Sequence, residues 1–438
     1  METKYQWFVG IDWGGEAHQV CVLDRDRRKL GERSIKHDGE GIGELIKWVG
    51  AMVAGEPAAM AAALEVPHGP IVEALLACGV AVFAINPKQV DRFRDRYTVN
   101  GAKDDRRDAY VIAALLVTDI QAFKKLTPES PFTMRVRELS RTLDDLDQEH
   151  RRLSNQLRDL LVRYFPAMLA LSPAADEPWI WALLATTPLP AKAKRLSVSR
   201  IEAILKANRI RRISAVEVRV TLQQECLDIA PHSAAAIAEH VGILVPLLRA
   251  FDTQYKRVSC LLKNLMDEAI ADPEAEEHRV VRLLRSLPGI GLDVSTTLLA
   301  EAGGVLADAD GRAFRCYAGI APITKQSGKS RRVVMRHGCN QRMREACYHW
   351  ARTSVQRDAN SRSHYDRLRQ AGHNHGRALR GVCDRLITIL MAVLRTGKPY
   401  NPEIRRGAVA NRETHLALSR QAGIRPIRLG FAQCPDCS

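Results

Sequence analysis

Four carboxylates have the residue types and the spacing of a metal-dependent site. Asp12 ends one apolar run and Glu65 follows another, whereas Asp105 and Asp108 stand three residues apart just before an apolar segment. Residues three apart on a helix share one face. Carboxylate oxygens are the ligands that hard cations such as Mg²⁺ prefer, and two such ions can stabilise both the attacking and the leaving oxygen of a phosphoryl transfer. The four acids therefore predict a site for Mg²⁺ or Mn²⁺.

The segment 312–357 is the most basic part of the chain, and it contains one acid, Glu345. Within it, Ser327 stands between two lysines and directly before a glycine. A hydroxyl in such surroundings could attack a phosphodiester while the cations stabilise the developing charge; alternatively, the loop only binds phosphate. Ser330 is the other candidate nucleophile. The side chains expected to contact nucleic-acid phosphates are Lys325, Lys329, Arg331, Arg332 and Arg336.

A second candidate for phosphate binding is the loop 286–291, which lies between two predicted helical stretches, 280–285 and 293–302. Its proline and two glycines, Gly289 and Gly291, allow a tight turn that would present backbone N–H groups at the start of the second helix, where the helix dipole favours an anion. The pattern resembles a helix-hairpin-helix element, which holds the DNA backbone without recognising its sequence. An ordinary corner between two helices is the alternative.

The composition limits the class of protein. A chain of 438 residues is too long for one ordinary core, so we expect two or three domains. Its 46% hydrophobic and 26% charged residues exclude a disordered chain, and its net charge of +15 favours a polyanionic partner. We expect no signal peptide and no membrane span, because the N-terminus leads straight into a strand and no apolar run is long enough. Ten cysteines without framework spacing indicate reduced thiols and a cytoplasmic location.

The acids need elements that bring them together, and the pattern over residues 5–123 predicts five strands. Three follow one another closely, which favours an antiparallel meander, and two alternate with helices, which favours parallel crossovers. This order is typical of a ribonuclease-H-like (RuvC-type) fold, with Asp12 on the first strand and Glu65 at the end of the fourth. The predicted strands are Trp7–Asp12, His18–Leu23, Lys29–Ile35, Ala58–Leu64 and Val80–Ile85.

A helical region follows a proline-containing linker at residues 127–131. Its apolar residues recur in four-three alternation, which predicts a heptad seam that either packs within its own chain or forms an intermolecular coiled coil. The seam comprises Leu139, Leu143, Leu146, His150, Leu153, Leu157, Leu160 and Tyr164. The predicted architecture is therefore multidomain α/β plus α: a catalytic domain at 1–126, a helical coiled-coil region at 131–279, a mainly α C-terminal domain at 280–400 and a basic tail at 401–438.

Taken together, these residues resemble the DEDD-type insertion-sequence transposases, the bridge-RNA-guided recombinases of mobile elements. The N-terminal motifs look like that family's domain related to Holliday-junction resolvases: Gly10-Ile11-Asp12, Leu64-Glu65-Val66, Ile85-Asn86-Pro87 and Asp104-Asp105-Arg106-Arg107-Asp108. The C-terminal motifs resemble its transposase domain: Leu287-Pro288-Gly289-Ile290-Gly291, Tyr317-Ala318-Gly319, Gln326-Ser327-Gly328 and Arg336-His337-Gly338-Cys339-Asn340.

The resemblance implies a composite active site in which Asp12, Glu65, Asp105 and Asp108 hold Mg²⁺ and Ser327 is the nucleophile. A transient phosphoserine link to DNA would conserve the energy of the phosphodiester, so that strands could be exchanged and resealed without ATP. The resemblance also implies a non-coding bridge RNA, encoded by the element, whose loops pair with donor and target DNA. Assembly as a dimer or tetramer is implied as well.

Two features depart from the family pattern, namely the fifth carboxylate Asp104 and the length of the chain. Three alternatives remain open. A metal-dependent endonuclease of the Holliday-junction type would use water and need no serine, and a site-specific invertase would share the catalytic residues. A non-catalytic nucleic-acid-binding protein is disfavoured because all four acids are present and would repel one another without a cation.

Overall fold

The computed structural model describes residues 4–52, 56–94, 104–225, 227, 229–272, 275, 278–328 and 330–402. The chain divides into two compact units, Met1–Ser130 and Pro131–Ser438. Lys329 and most of the expected basic tail, residues 403–438, lie outside the described residues, so their assigned roles stay predictions. The division of the helical part at residue 280 also stays a prediction.

The first unit is a mixed sheet with helices on both faces. Its strands are β1 (Trp7–Asp12), β2 (Ala17–Leu23), β3 (Lys29–Lys36), β4 (Met60–Leu64), β5 (Ala81–Ala84) and the two-residue β6 (Lys124–Lys125). Its helices are α1 (Gly39–Met52), α2 (Pro70–Ala77), α3 (Pro87–Arg94) and α4 (Asp105–Asp119). The six strands lie in the order β3-β2-β1-β4-β5-β6.

The strand directions confirm the predicted meander and crossovers. β1, β2 and β3 pair antiparallel, β4 and β5 continue the sheet parallel to β1, and β6 pairs antiparallel with β5. This is the order expected of a ribonuclease-H-like fold. The fourth strand begins later than predicted, because Pro57–Ala59 forms a 3₁₀ turn, and proline supplies no N–H to a strand ladder.

Side-chain alternation sends the residues of each strand into two different cores. Phe8, Ala61 and Ala63 belong to the core that contains the buried residues of α4. Val9 and Ile11 belong to the core on the opposite face, with residues of α1 and α2. The position of a residue in its strand therefore decides which helix its side chain meets.

Gly10 allows α4 to lie directly on β1. A Cβ at this position would be 2.0 Å from the carbonyl oxygen of Ala109 and 2.4 Å from the backbone nitrogen of Ala113. The contact places the first turns of α4, which carry Asp105 and Asp108, close to the part of β1 that ends in Asp12.

The second unit consists of helices and one β-hairpin. The hairpin strands are β7 (Ile323–Ser327) and β8 (Ser330–Val334). The helices before the hairpin are α5 (Pro131–Tyr164), α6 (Pro166–Leu171), α7 (Pro178–Thr186), α8 (Pro190–Ala193), α9 (Val198–Ala207), α10 (Ala215–Gln223), α11 (Pro231–Ala271), α12 (Arg279–Ser286), α13 (Leu292–Ala307) and α14 (Gly311–Tyr317). Those after it are α15 (Gln341–Arg357), α16 (Ala359–Gln370) and α17 (His375–Thr396).

The long helices α5 and α11 contribute to both hydrophobic cores of this unit. Val136 and Leu262 lie in a core with residues of α12–α17, whereas Leu157 and Leu244 lie in a core with residues of α6–α10. Five residues of the predicted seam are buried, namely Leu143, Leu153, Leu157, Leu160 and Tyr164. The seam therefore packs within its own chain, which was one of the two alternatives.

The length and hydropathy of α11 would suffice to cross a membrane, which the sequence reasoning did not anticipate. Its most apolar 18-residue window has a mean hydropathy of 1.5. Core helices of soluble proteins satisfy the same criterion, and Val241, Leu244, Val245 and Leu248 of α11 are buried in the core of the second unit. A single helix of this kind is weak support for a membrane segment.

The Gly10 contact can be tested by adding one methyl group. We expect Gly10→Ala to lower the free energy of unfolding by about 1–3 kcal/mol or more, because the backbone of α4 must move away from β1. Gly15→Ala is the matched control, because a Cβ there would meet nothing within 4 Å. Urea unfolding of both variants measures the difference, and equal midpoints would contradict the close approach.

Candidate active-site residues in the two units

Two of the predicted acids lie at adjacent carboxyl ends of parallel strands. Asp12 is the last residue of β1, and Glu65 directly follows β4. Ile11 is paired with Leu64, so Asp12 and Glu65 occupy the next register position, where neighbouring strands are about 4.8 Å apart. Asp12 alternates with Phe8 and Gly10, which face α4, so strand geometry directs its carboxylate towards α4. Both acids are half-buried.

The acids at the start of α4 have different environments. Asp104 is the N-cap of α4, and its carboxylate accepts a hydrogen bond of 3.2 Å from the backbone N–H of Arg106. Asp105 is exposed in the first turn. Asp108 is 3% exposed. The fifth carboxylate therefore has a structural role as a helix cap, and whether Asp104 or Asp105 binds a metal stays a prediction.

Asp108 is held by an arginine that the sequence reasoning missed. Arg94, the last residue of α3, donates from Nη2 to Asp108 Oδ2 at 2.9 Å, and its Nε lies 2.8 Å from Oδ1. Its Nη1 lies 3.4 Å from a carboxylate oxygen of Asp91 on the same helix. No local pattern links residues 94 and 108, because their contact depends on how α3 packs against α4.

The donor chemistry of these acids fits a hard divalent cation, but the arrangement does not gather all four. Among the side chains with a described position, no three from Asp, Glu, His and Cys are grouped closely enough to hold a metal ion. Asp12 and Glu65 share one edge of the sheet, whereas the oxygens of Asp108 face Arg94 and Asp105 is exposed. Common ligation by Asp12, Glu65, Asp105 and Asp108 therefore stays a prediction.

A small aromatic cluster fixes the chain directly after Asp12. The ring of Trp13 lies 4.6 Å from the ring of His18 and 5.1 Å from that of His37. His18 Nδ1 accepts from the backbone N–H of Gly14 at 3.3 Å, which leaves its Nε2–H to donate to His37 Nδ1 at 2.8 Å. Burial, and then the charge of His37, lowers the pKa of His18. The cluster is therefore suited to a neutral His18.

The hairpin of the second unit presents Ser327 between cations on one exposed face. Ser327 is paired with Ser330, and Lys325 is paired with Arg332. Because alternate residues of a strand share a face, these four side chains lie on the same side of the ribbon. All four are exposed. Gly328 in the connecting turn has a φ of +53°, which is typical of two-residue hairpin turns.

The base of the hairpin is anchored through Asn340. Its backbone N–H donates to the carbonyl oxygen of Tyr317 at 2.9 Å, and its side-chain amide donates to the Tyr317 hydroxyl and to Glu301 Oε2, both at 2.8 Å. Arg336 Nε donates to the carbonyl oxygen of Ala321 at 3.3 Å. The two ends of the hairpin are thus tied to α13 and α14, and Arg336 acts at least in part as a structural residue.

Glu301 is the centre of this polar network. Its side chain is 5% exposed, and it pairs with Arg141 at 3.2 Å and with Arg342. Arg342 also pairs with Asp144 and donates to the hydroxyl oxygen of Ser140 at 2.8 Å. Burial alone would raise the pKa of Glu301, but the hydrogen bonds and charges of its partners outweigh burial and lower that pKa.

The predicted helix-hairpin-helix element consists of α12, the loop 287–291 and α13, and Gly289 packs tightly within it. Gly289 has a φ of +78°, and a Cβ there would lie 2.4 Å from the hydroxyl oxygen of Ser354. The carbonyl oxygen of Pro288 accepts hydrogen bonds from Trp350 Nε1 at 2.9 Å and from Ser354 Oγ at 2.7 Å. Gly289 therefore serves the packing of the loop against α15.

Gly291 is exposed and is the N-cap of α13. It lines a cleft of about 620 Å³ formed by residues of α5, α13 and α15. The charge of the cleft is mixed, because it is lined by three arginines and by acids that include Asp144, Asp147 and Asp293. Nucleic-acid binding by the two glycines stays a prediction, and Gly291 is the more accessible of them.

Two family models match the chain in the regions just described. Residues 9–166 match a model described as "Transposase" (DEDD_Tnp_IS110). Residues 281–366 match a model described as "Transposase IS116/IS110/IS902 family". The first range contains Asp12, Glu65, Asp105 and Asp108, and the second contains Ser327 and both glycines.

Individual proteins that are similar to this chain come from insertion elements or are named as transposases. The mini-circle putative transposase for IS117 of Streptomyces coelicolor is 31% identical over 410 residues, which cover 92% of this chain and 97% of the relative. The putative transposase y4uE of Sinorhizobium fredii is 47% identical over 216 residues, covering 49% of this chain and 60% of the relative. An uncharacterized 43.6 kDa protein of insertion element IS110 from S. coelicolor is 26% identical over 412 residues, covering 91% and 96% respectively.

Removing Glu301 should strongly destabilise the second unit. We expect Glu301→Ala to cost about 1.5–3 kcal/mol at neutral pH, because Arg141, Arg342 and Asn340 lose the hydrogen bonds that the Glu301 carboxylate accepts. Glu345→Ala is the control on an exposed acid and should change stability by less than about 0.5 kcal/mol. Urea unfolding compares the two variants.

The pH dependence of that loss follows from the lowered pKa of Glu301. A carboxylate with a lowered folded-state pKa stabilises the protein above its unfolded-state pKa, and the contribution disappears as the pH falls through the folded-state value. The difference in free energy of unfolding between wild type and Glu301→Ala should therefore shrink as the pH falls below the ordinary pKa of a glutamate carboxyl. A difference that stays constant would contradict the ionic role of Glu301.

Proposed function

The chain belongs to the IS116/IS110/IS902 family of transposases, and on that premise we propose that it recombines DNA at the ends of an insertion element in a divalent-metal-dependent reaction. Transposases act on DNA, and their family implies cleavage of DNA strands. The observation that carries the proposal is that Asp12 ends β1 and Glu65 directly follows β4, next to the register pair of Ile11 and Leu64. Acids from adjacent parallel strands form an oxygen-rich edge suited to a phosphodiester and its cation.

The first part of the proposal concerns the acids. Asp12 and Glu65 would hold Mg²⁺ or Mn²⁺ together with Asp105 and Asp108 of α4. When bound, the cation would stabilise negative charge on the phosphate oxygens during cleavage. Trp13 and His18 support the site by fixing the backbone that follows Asp12.

The second part concerns the nucleophile, for which we propose Ser327. Its hydroxyl oxygen attacks the phosphorus and releases its proton to solvent, while the bond from phosphorus to a deoxyribose oxygen breaks and that oxygen takes up a proton. Attack by a deoxyribose hydroxyl on the phosphoserine reverses the step and reseals a strand. Lys325 and Arg332 share the face of Ser327 and would stabilise the developing negative charge.

The third part concerns partners. The net charge of +15 and the exposed cations of the hairpin support binding of donor and target DNA and of an element-encoded bridge RNA. In such a complex, base pairing would select the sequences while the protein contacts backbones. We also propose that a dimer or tetramer assembles, since two DNA sites must be joined, and that the protein acts in the bacterial cytoplasm at the nucleoid.

A metal-dependent endonuclease that uses water is the second candidate. The acids and Ser327 belong to different compact units of the chain, and the acids alone would suffice for hydrolysis. The two candidates differ in one product, because only the serine reaction leaves DNA attached to the protein.

The nucleophile can be identified with two serine variants. Ser327→Ala should abolish a protein–DNA adduct on a denaturing gel of protein, co-purified RNA, Mg²⁺ and labelled element-end DNA, while DNA binding stays intact. Ser330→Ala is the matched control, because Ser330 is the cross-strand partner of Ser327 on the same face. An adduct that persists in Ser327→Ala and disappears in Ser330→Ala would identify Ser330 as the nucleophile. Cleavage without any adduct would favour water as the nucleophile.

The metal role can be tested at Asp12. We expect Asp12→Asn to lower DNA cleavage at least about 100-fold, since the amide loses the charge that holds the cation, with little change in DNA binding. Glu16→Gln removes an exposed acid from the turn after β1 and serves as the control. Cleavage at the wild-type rate by Asp12→Asn would refute the acid site.

A further inference from the structure

The contact between Arg94 and Asp108 engages both oxygens of a carboxylate that is assigned to the cation. Arg94 Nη2 is 2.9 Å from Asp108 Oδ2, and Arg94 Nε is 2.8 Å from Oδ1. The side chains are 18% and 5% exposed, respectively. The Nη2–Oδ2 contact is a charge-assisted hydrogen bond, whereas Nε and Oδ1 form a close ionic contact without hydrogen-bond geometry.

A divalent cation and the Arg94 guanidinium cannot both contact the same oxygens of Asp108 at the same time. Ligation by Asp108 would need an oxygen that Arg94 now contacts, and it would place two positive charges side by side in a poorly solvated site. Binding of the cation at Asp108 would therefore require at least partial release of Arg94.

The structure also provides a second acceptor for Arg94. Asp91 lies one helical turn earlier on α3, 3.4 Å from Arg94 Nη1, and its side chain is 66% exposed. Val90 and Phe93 anchor α3 in the core shared with α4, so the helix can stay in place while the side chain of Arg94 turns towards Asp91 and solvent.

We propose that Arg94 is a positioning residue that competes with the divalent cation for Asp108 and thereby sets the affinity of the site for metal. With Arg94 on Asp108, the guanidinium balances the charge of the carboxylate and contacts both of its oxygens. When the cation binds, Arg94 moves to Asp91, and Asp108 completes the ligand set begun by Asp12 and Glu65. This inference rests on the proposed function, because it takes Asp108 to be a metal ligand.

The test is the affinity of the full-length protein for Mn²⁺, measured without DNA by electron paramagnetic resonance of the free ion. Only the fraction of sites with Asp108 released is competent to bind, so removing the competitor should raise the apparent affinity. We expect Arg94→Gln to bind Mn²⁺ about tenfold more tightly than wild type. Arg92→Gln, an exposed arginine on the same helix, should bind like wild type.

A purely structural ion pair gives the opposite result. If Arg94 only orders Asp108, Arg94→Gln will bind Mn²⁺ as wild type does or more weakly, and the inference is overturned. Asp108→Asn should weaken binding and should cancel the gain when combined with Arg94→Gln; a gain that survives in the double variant would also overturn it.

Two further measurements keep the test decisive. If Arg94→Gln folds poorly, Arg94→Lys can replace it, because lysine retains the charge without contacting both carboxylate oxygens. This variant should bind Mn²⁺ more tightly than wild type but less tightly than a site in which nothing competes for Asp108. Binding no tighter than wild type would count against the inference. Added Mn²⁺ should raise the melting temperature of the Arg94 variant more than that of wild type, and an equal or smaller rise would oppose it.

Failure of the inference differs from failure of the proposed function. If wild type binds Mn²⁺ through Asp12 and Arg94→Gln binds it no more tightly, only the proposed role of Arg94 is refuted. If neither wild type nor Arg94→Gln binds Mn²⁺, both the role of Arg94 and the proposed metal site are refuted.

Discussion

The close approach of α4 to β1 is the constraint on which the first unit depends. Because Gly10 has no side chain, the backbone of α4 at Ala109 and Ala113 meets the strand directly. A larger residue would lift the helix from the sheet and take Asp108 away from the end of β1. Side-chain alternation then separates the two cores, since Phe8 and Ala63 pack towards α4 while Val9 and Ile11 pack towards α1 and α2. The contact at Gly10 thus fixes both the packing of α4 and the placement of Asp108.

A group of carboxylates near one another needs compensating positive charge, because like charges in a half-buried site repel. In the structure described, Arg94 supplies that charge to Asp108, whereas Asp104 is engaged as a helix cap. Asp12 and Glu65 lie at the ends of neighbouring strands, where we propose that the divalent cation binds. The charge balance of Asp108 is a property of the local packing of α3 against α4.

The hairpin of the second unit depends on contacts with the rest of that unit, since a two-stranded ribbon exposed on both faces has little stability of its own. The network around Glu301 compensates by holding Asn340 and the start of α15, and Asn340 in turn holds Tyr317. Buried charges are costly unless they are paired, and Glu301 has its pairs in Arg141 and Arg342. The ribbon can thus expose Ser327 and its cations while its base stays fixed.

The sequence by itself determined five strands of the first unit, apart from the start of β4, the direction of their pairing and the positions of Asp12 on β1 and Glu65 at the end of β4. These follow from apolar runs and turns between near neighbours in the chain. It also indicated the seam of α5 and the basic segment around Ser327. Only the tertiary structure decided that Arg94 binds Asp108, that Asp104 caps α4 and that Gly289 packs against Ser354. It likewise decided that the seam of α5 packs within its own chain. The contacts of Arg94 with Asp108 and of Gly289 with Ser354 join residues far apart in sequence, so they depend on how whole helices pack rather than on any local pattern. The cap is local, but the type of Asp104 alone did not distinguish a helix cap from a metal ligand.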